Sequence, residues 1–432
     1  MPKLAFPLAR TSFYRTLGPL LEATLEDSYW EVELVLGLPV PADNLKSYQN
    51  PTSDNVPARF KGRCKTRMVF TTEEMAAALN EADAVIANVG CSCVAYEFAD
   101  RVRNPVWCAV FDADHSVLPA HHFDEAEMNF WASHYYLDWA VEVGLASREH
   151  LEARSYEIGY VRADPLKWST REAVRREWRI DQDRPVVLYI PDGYRLSLNS
   201  AFITDWYRHV WCVESRAERL LRALLFRRNR QAVREALNGD GNDAQMIRAL
   251  RAFCDSNGAG LVMMPRRQKE WSGSSAFTAE ELKAADFIVS EDEAHPQTTL
   301  RAIQMADLVI CGYASGALLD ALAAGVPYIT IGMPFAANSL ENELYAQRFN
   351  REQGDRPGAT WLIPAEDFIR NFPGKWLSDF KIDPVVLDQV RAQYVGPVDG
   401  QCSRRLLEAV RTRLDGQGAR KEPARRMLHQ DA

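Results

Sequence analysis

Short, wholly apolar runs bounded by turn residues alternate along this chain with longer stretches whose apolar residues recur at helical spacing. The pattern is clearest from Met305 to Gly332. There an apolar run, Leu308 to Cys311, meets a Gly-Tyr-Ala-Ser-Gly turn and then a helical run from Ala317 to Ala324. A Gly stop, Pro327 and a second β-rich run from Tyr328 to Ile331 complete a strand-helix-strand unit. The first strand is apolar on both faces, as in a buried parallel sheet. Its small-residue turn feeds a helix N-terminus, where unpaired N–H groups and the positive dipole end suit a phosphate or carboxylate.

The same rhythm runs through the first part of the chain. PKLAFPLA predicts a strand, Pro19 to Glu26 a helix with proline at its first position, and EVELVLGL a second strand. No G-x-G-x-x-G follows the first strand, which weighs against a nicotinamide or flavin site there. From Pro39 to Cys64 the chain turns polar and rich in Pro, Asn and Asp, a loop long enough to be functional or mobile. Strands follow at 68–70, 83–89 and 106–112, with helices at Thr72–Asn80 and Val94–Arg103. FWASHYYLDWAVEVGL predicts a short strand and a helix, and EIGYVRADPL, 157–166, a strand running into a linker. Pro165 ends that strand, and Ser169 or Thr170 is placed to cap the next helix.

A second series opens there. RPVVLYIPDGY, GLVMMPRRQKEW and DFIVSEDE each read as a strand running into a turn, the second ending in Arg266, Arg267 and Lys269 and the third in Glu291, Asp292 and Glu293. His295-Pro296 marks the junction before a helix at Thr298–Met305. Between Phe202 and Leu237 a helical pattern gathers Arg216, Arg219, Arg222, Arg227, Arg228, Arg230 and Arg234 beside Trp206, Trp211 and a set of leucines. It fits either an amphipathic helix packed on its own domain, with snorkelling arginines, or a helix lying on an anionic membrane surface. WLIPAEDFIR, two helical patterns and VDGQCSRRLLEAVRTRL close the ordered chain, and from Gly416 onward too little apolar content remains to pack.

Strands alternating with helices imply parallel, doubly wound sheets. The 432 residues, 47% apolar, are enough for two full cores. We therefore expect an α/β protein of two Rossmann-like domains facing a cleft: 1–165, and 166–398 with a basic helical insertion at 198–240. A C-terminal helix at 399–415, packing back across the cleft, and a disordered tail at 416–432 follow. A formal charge of −8 argues against nucleic acid as a partner. The eight cysteines are scattered, and the Cys91–Cys93 pair lacks zinc-site spacing, so no metal site is expected. No secretory signal begins the chain and no apolar run approaches the ~20 residues of a spanning helix. The expected location is cytoplasmic, contact with an anionic membrane through 202–237 being the alternative to packing of that helix on its own domain.

Two clusters carry candidate chemistry. Past the strand that ends at Phe111 come Asp112, Asp114 and His115, then His121 and His122, in the place where an α/β sheet positions catalytic carboxylates and imidazoles. A solvated loop is the alternative for each. Arg266 and Lys269, at a strand end, suit neutralisation of a diphosphate; the alternative is a basic turn.

The order PRRQK at a strand end, an acidic strand end, ADLVICGYASGALLDALAAGVPYI and a terminal DGQCSRRLLEAV helix resembles the C-terminal domain of GT-B glycosyltransferases. Within these it is most similar to the bacterial surface-polysaccharide and CDP-glycerol glycerophosphotransferase-like group. EIGYVRADPL resembles the G-x-x-R-x-D segment of that group. The resemblance spans roughly residues 155–415 and implies a metal-independent transferase. Donor binding would fall to the C-terminal domain and acceptor binding to the N-terminal one. Tyr313, Ala314, Ser315 and Gly316 would hold the phosphate of a CMP-, CDP-, UDP- or GDP-linked donor, assisted by Arg266 and Lys269. Glu291 or Glu293 would hold the ribose, and Asp320 would orient the turn or simply favour the helix dipole. Asp112, Asp114 or His115 would be the base toward a glycan or lipid-linked acceptor. Asp-His-Ser at 114–116 stands where the glycerophosphotransferases carry His-Gly, a departure that favours sugar transfer. A CDP-glycerol-type glycerophosphotransferase, a nucleotide-sugar 2-epimerase and an inert binding scaffold are the competing readings.

Overall fold

The computed structural model describes residues 1–39, 50–88, 101–111, 126–191, 242–264, 282–289, 295–311, 316–332 and 354–427, apart from Val143 and Leu145. The chain divides into two compact units, one formed by Met1–Pro39, Asn50–Pro165 and Val395–Ala432, the other by Val40–Gln49 and Leu166–Tyr394.

The first unit is built on β1 (Lys3–Leu8), β2 (Glu31–Gly37), β3 (Lys65–Val69), β4 (Ala84–Asn88), β5 (Val106–Val110), β6 (Met128–Trp131) and β7 (Ser155–Glu157). All are parallel and lie in the order β3-β2-β1-β4-β5-β6-β7. Leu4 to Leu8 and all of β4 and β5 are buried, which is why these strands read as continuous apolar runs. Glu33 looks out of place inside β2. It is 3% exposed and tied down by Lys3 Nζ at 2.6 Å and Arg67 Nε at 3.0 Å, so its charge is buried with partners.

Helix α1 (Tyr14–Glu26) starts earlier than expected, and Pro19 sits inside it. A 3-10 turn at Thr11–Phe13 leads into the helix, and buried Tyr14, Leu17, Leu20 and Leu21 form its core face. Packing of that face overrides the propensity signal that placed the proline at the first position. Helices α2 (Thr72–Leu79), α3 (His134–Glu142) and α4 (Arg148–Glu152) follow. The GYVRADPL stretch is not a strand: beyond β7 it becomes a 3-10 helix at Val161–Lys167. Gly159, at φ +93°, turns the chain where an added Cβ would lie 2.7 Å from both Cys402 Sγ and the Pro397 carbonyl.

The second unit opens with α5 (Arg171–Glu177), capped by Thr170 Oγ1, which accepts from the Ala173 N–H at 3.2 Å. Its sheet contains β8 (Val186–Ile190), β9 (Gly260–Met263), β10 (Phe287–Ile288), β11 (Leu308–Cys311), β12 (Tyr328–Gly332) and β13 (Thr360–Pro364), again all parallel, in the order β10-β9-β8-β11-β12-β13. Helices α6 (Asn242–Ser256), α7 (Thr298–Met305), α8 (Ala317–Ala324), α9 (Ala365–Asn371) and α10 (Pro384–Tyr394) cover it. One core gathers Leu250, Phe253, Ile310, Ile329, Phe368 and Phe372 from the sheet and its covering helices.

The last helix, α11 (Cys402–Met427), belongs to the first unit and packs on α1. Its buried residues Cys402, Leu406, Leu407 and Val410 lie in its first half. The helical backbone runs to Met427, into the segment expected to be a disordered tail.

Candidate functional site

Both sheets reverse their strand order at one place, and in open parallel sheets the crevice outside the carboxyl ends of the strands at that place is where ligands bind. In the second unit the reversal falls between β8 and β11, which pair in register from Leu308↔Val187 to Cys311↔Ile190.

Asp307 sets these two strands at their amino ends. Its Oδ2 accepts from the Val186 N–H at 2.7 Å and from Arg175 at 2.8 Å, and its Oδ1 accepts from Arg171. Burial pushes the carboxyl up, but the hydrogen bonds from Arg171 and the Val186 N–H, with the arginine charges, hold it below the usual aspartate range. Arg175, 4% exposed, also donates to the carbonyls of Met305, Gln182 and Arg184. The amino ends of the two strands are thereby tied together.

At that edge β11 ends at Cys311, and α8 begins after Gly316. Residues 312–315 join them and lie outside the described residues, so Tyr313 and Ser315 carry no structural account. Gly316 is the helix N-cap, in the right-handed region at φ −53°, and its carbonyl accepts from the N–H groups of Leu319 and Asp320. Asp320 stands in the first turn of α8 and is fully buried. At the other end of α8, Gly325 takes the left-handed conformation, and Arg391 donates to the carbonyls of Leu322 at 2.6 Å and Ala323 at 2.8 Å. This fixes the helix axis that points its N-terminus at the edge.

Arg266, Lys269, Glu291 and Glu293 also lie outside the described residues, as do Asp112, Asp114 and His115 and the 202–237 segment. The strands that lead to them are described: β9 ends at Met263, β10 at Ile288 and β5 at Val110, all carboxyl ends of parallel strands. Among the described residues no group of His, Cys, Asp and Glu is arranged to hold a metal ion, and no helix is long and apolar enough to cross a membrane.

In the first unit the order reverses between β1 and β4. Two residues there escaped the sequence reading. Arg10, two residues past the end of β1, is 7% exposed, and Asn88, the last residue of β4, is 1% exposed. In the sequence they show only as an arginine two residues past one apolar run and an amide closing another. Beyond β5, Phe111 packs on Trp131 at 5.0 Å and on Tyr136 at 5.1 Å between ring centroids.

No family model and no curated protein sequence matches the chain. Solved structures do. The chain is similar to the wall teichoic acid polymerase TagF, at 12% identity and a TM-score of 0.56 over 96% of this chain and 90% of that one. It is also similar to MnaA of S. aureus solved with UDP, at 12% identity and a TM-score of 0.53 over 96% and 97%. The UDP-GlcNAc 2-epimerase of Neisseria meningitidis, bound to UDP-GlcNAc, aligns at 9% identity and a TM-score of 0.53 over 95% and 100%. The fold is GT-B. Within this GT-B chain, the described parts of the expected donor turn are its two flanks, Cys311 and Gly316, and both stand at the switch point of the second sheet.

Proposed function

We propose that the chain is a glycosyltransferase that moves a sugar from a nucleotide-activated donor to a surface-polysaccharide or related glycan acceptor without a bound metal. The observation that carries this reading is the switch point of the second unit. There the carboxyl end of β11, beside that of β8, feeds through 312–315 into the N-terminus of α8. Backbone N–H groups from Tyr313 to Gly316, with Arg266 and Lys269, would neutralise the donor phosphate, and the helix dipole would stabilise it as it leaves. Glu291 or Glu293 would hold the ribose, and buried Asp320 would orient the turn. In the first unit, Asp112, Asp114 or His115 would take the acceptor hydroxyl proton, with Arg10 and Asn88 lining the acceptor side.

Thermal shift and calorimetry with CMP-, CDP-, UDP- and GDP-linked ligands test this. Binding abolished by Arg266→Ala together with Ser315→Ala is expected; no response to any nucleotide refutes it. The likeness to a 2-epimerase supports a second reading. A transferase releases nucleotide when an acceptor is present, whereas an epimerase returns an intact, inverted nucleotide sugar. Contact of 202–237 with an anionic membrane predicts sedimentation with anionic vesicles at low salt that weakens at high salt.

A further inference from the structure

At the amino edge of the second sheet, a polar hollow of about 270 Å³ lies beside the first residues of β8 and β11. Its lining includes Asp307 with Arg171 and Arg175. Two guanidinium groups share this one carboxylate, which leaves one positive charge in excess. Arg175 is 4% exposed, and Asp307 is its one acid partner among the described residues. Charge taken out of water in this way calls for a counter-charge.

The walls of the hollow are held in place. Arg175 Nη1 donates to the carbonyls of Gln182 at 3.1 Å and Arg184 at 3.4 Å, so the loop that enters β8 is fastened to it. Arg184 is itself anchored, its Nε donating to the Gly258 carbonyl at 3.3 Å and its Nη2 to the Ala259 carbonyl at 2.8 Å. Arg175 also donates through Nε to Met305 and through Nη2 to Asp307, so all three of its nitrogens are engaged. Arg171 and Arg184 keep donors in reserve. Among the described residues, Nε and Nη1 of Arg171 and Nη1 of Arg184 donate to no acceptor.

The lining acids are largely committed. Asp307 accepts three hydrogen bonds, and Glu172 accepts from its own backbone N–H and from Thr170, which hold its carboxyl below the usual glutamate range. Asp183, the third, is exposed. Two guanidinium groups with unused N–H donors, beside a trio of net positive charge, match an oxyanion, which accepts paired N–H bonds in the fork geometry of arginine.

We propose that this hollow binds a small oxyanion of the phosphate class, held between Arg171 and Arg184 beside the Arg175–Asp307 pair. One water takes ~30 Å³ of the liquid, so the hollow has room for a phosphomonoester as well as for free phosphate. The site stands at the edge of the sheet opposite the proposed donor turn and does not rest on that reading.

Calorimetric titration of the full chain, Arg171→Gln and Arg184→Gln with inorganic phosphate and glucose 1-phosphate tests it, with melting curves to verify folding. Titration with UDP and CDP is the control. The wild type is expected to bind at least one of the two probes. Tighter glucose 1-phosphate makes the occupant an ester, tighter phosphate makes it the free anion, and both support the site. Each variant should weaken the bound probe by roughly tenfold, about 1.4 kcal/mol, and leave the response to UDP and CDP as in the wild type. Arg184→Gln leaves the Asp307 trio intact and carries the test if Arg171→Gln does not fold. A wild type that binds neither probe overturns the site. Probe binding unchanged in the folded variants also overturns it, because the anion then sits elsewhere, and so does a parallel loss of probe and nucleotide binding.

Discussion

Asp164, in the 3-10 segment that replaces the expected strand, is 3% exposed and faces the N-terminus of α11. Its two carboxylate oxygens accept from the backbone N–H groups of Cys402 at 3.1 Å and Ser403 at 2.8 Å. One side chain thus ties the start of α11 to the 3-10 segment across 238 residues of sequence. Hydrogen bonds to a charged group contribute ~1.5–3 kcal/mol each, so the gross loss in Asp164→Ala is ~3–6 kcal/mol. Part is returned because the variant no longer buries a carboxylate, whose desolvation costs several kcal/mol. Helix caps replaced by alanine lose ~0.5–2 kcal/mol. We expect a net loss of ~2–3 kcal/mol, and roughly half of that in Asp164→Asn, which keeps one acceptor oxygen. Urea unfolding of the full chain reads the stability. Thiol labelling followed by peptide mass spectrometry reads the local consequence at Cys402, which is buried and whose thiol is pushed up by burial and by Asp164. Its labelling should accelerate roughly 30- to 150-fold in Asp164→Ala, the factor that corresponds to ~2–3 kcal/mol. A loss under ~0.5 kcal/mol with unchanged Cys402 labelling would refute the capping role.

Two further outcomes follow from the second unit. Asp307 has its folded pKa depressed, so its contribution is present above the unfolded value and is lost as pH falls through the folded one. The stability gap between wild type and Asp307→Asn, read by urea unfolding, should be full at pH 7 and shrink below about pH 4, the ordinary aspartate value. A gap that grows in acid contradicts this sign. Arg391→Ala removes two donors from the C-terminal carbonyls of α8 and should cost ~1–2 kcal/mol in thermal unfolding, while Arg391→Lys recovers only part of it.

Much of the fold is legible where apolar runs are short and their turns are marked. Thr298–Met305, Leu308–Cys311 and Ala317–Ala324 fall where the sequence places them, because Gly325 and the flanking polar residues punctuate a wholly buried stretch. Long-range partners are less legible. Nothing local in GYVRADPL announces that Asp164 caps a helix near the other end of the chain, so its apolar residues read as a strand. Pro19 misleads for a related reason, since tertiary burial of α1 outweighs a residue that usually begins helices. Of the nominated site residues only Gly316 and Asp320 are among those described, and both belong to the start of α8. Arg10 and Asn88 become visible as candidates only when the strand order shows which carboxyl ends adjoin.

The most direct measurement is a crystal structure of the full chain with a bound nucleoside diphosphate, using whichever nucleotide gives the largest thermal shift. The account predicts its phosphates against the N–H groups of 313–316, at the N-terminus of α8. Phosphates bound away from that turn, with 312–316 untouched, would contradict it.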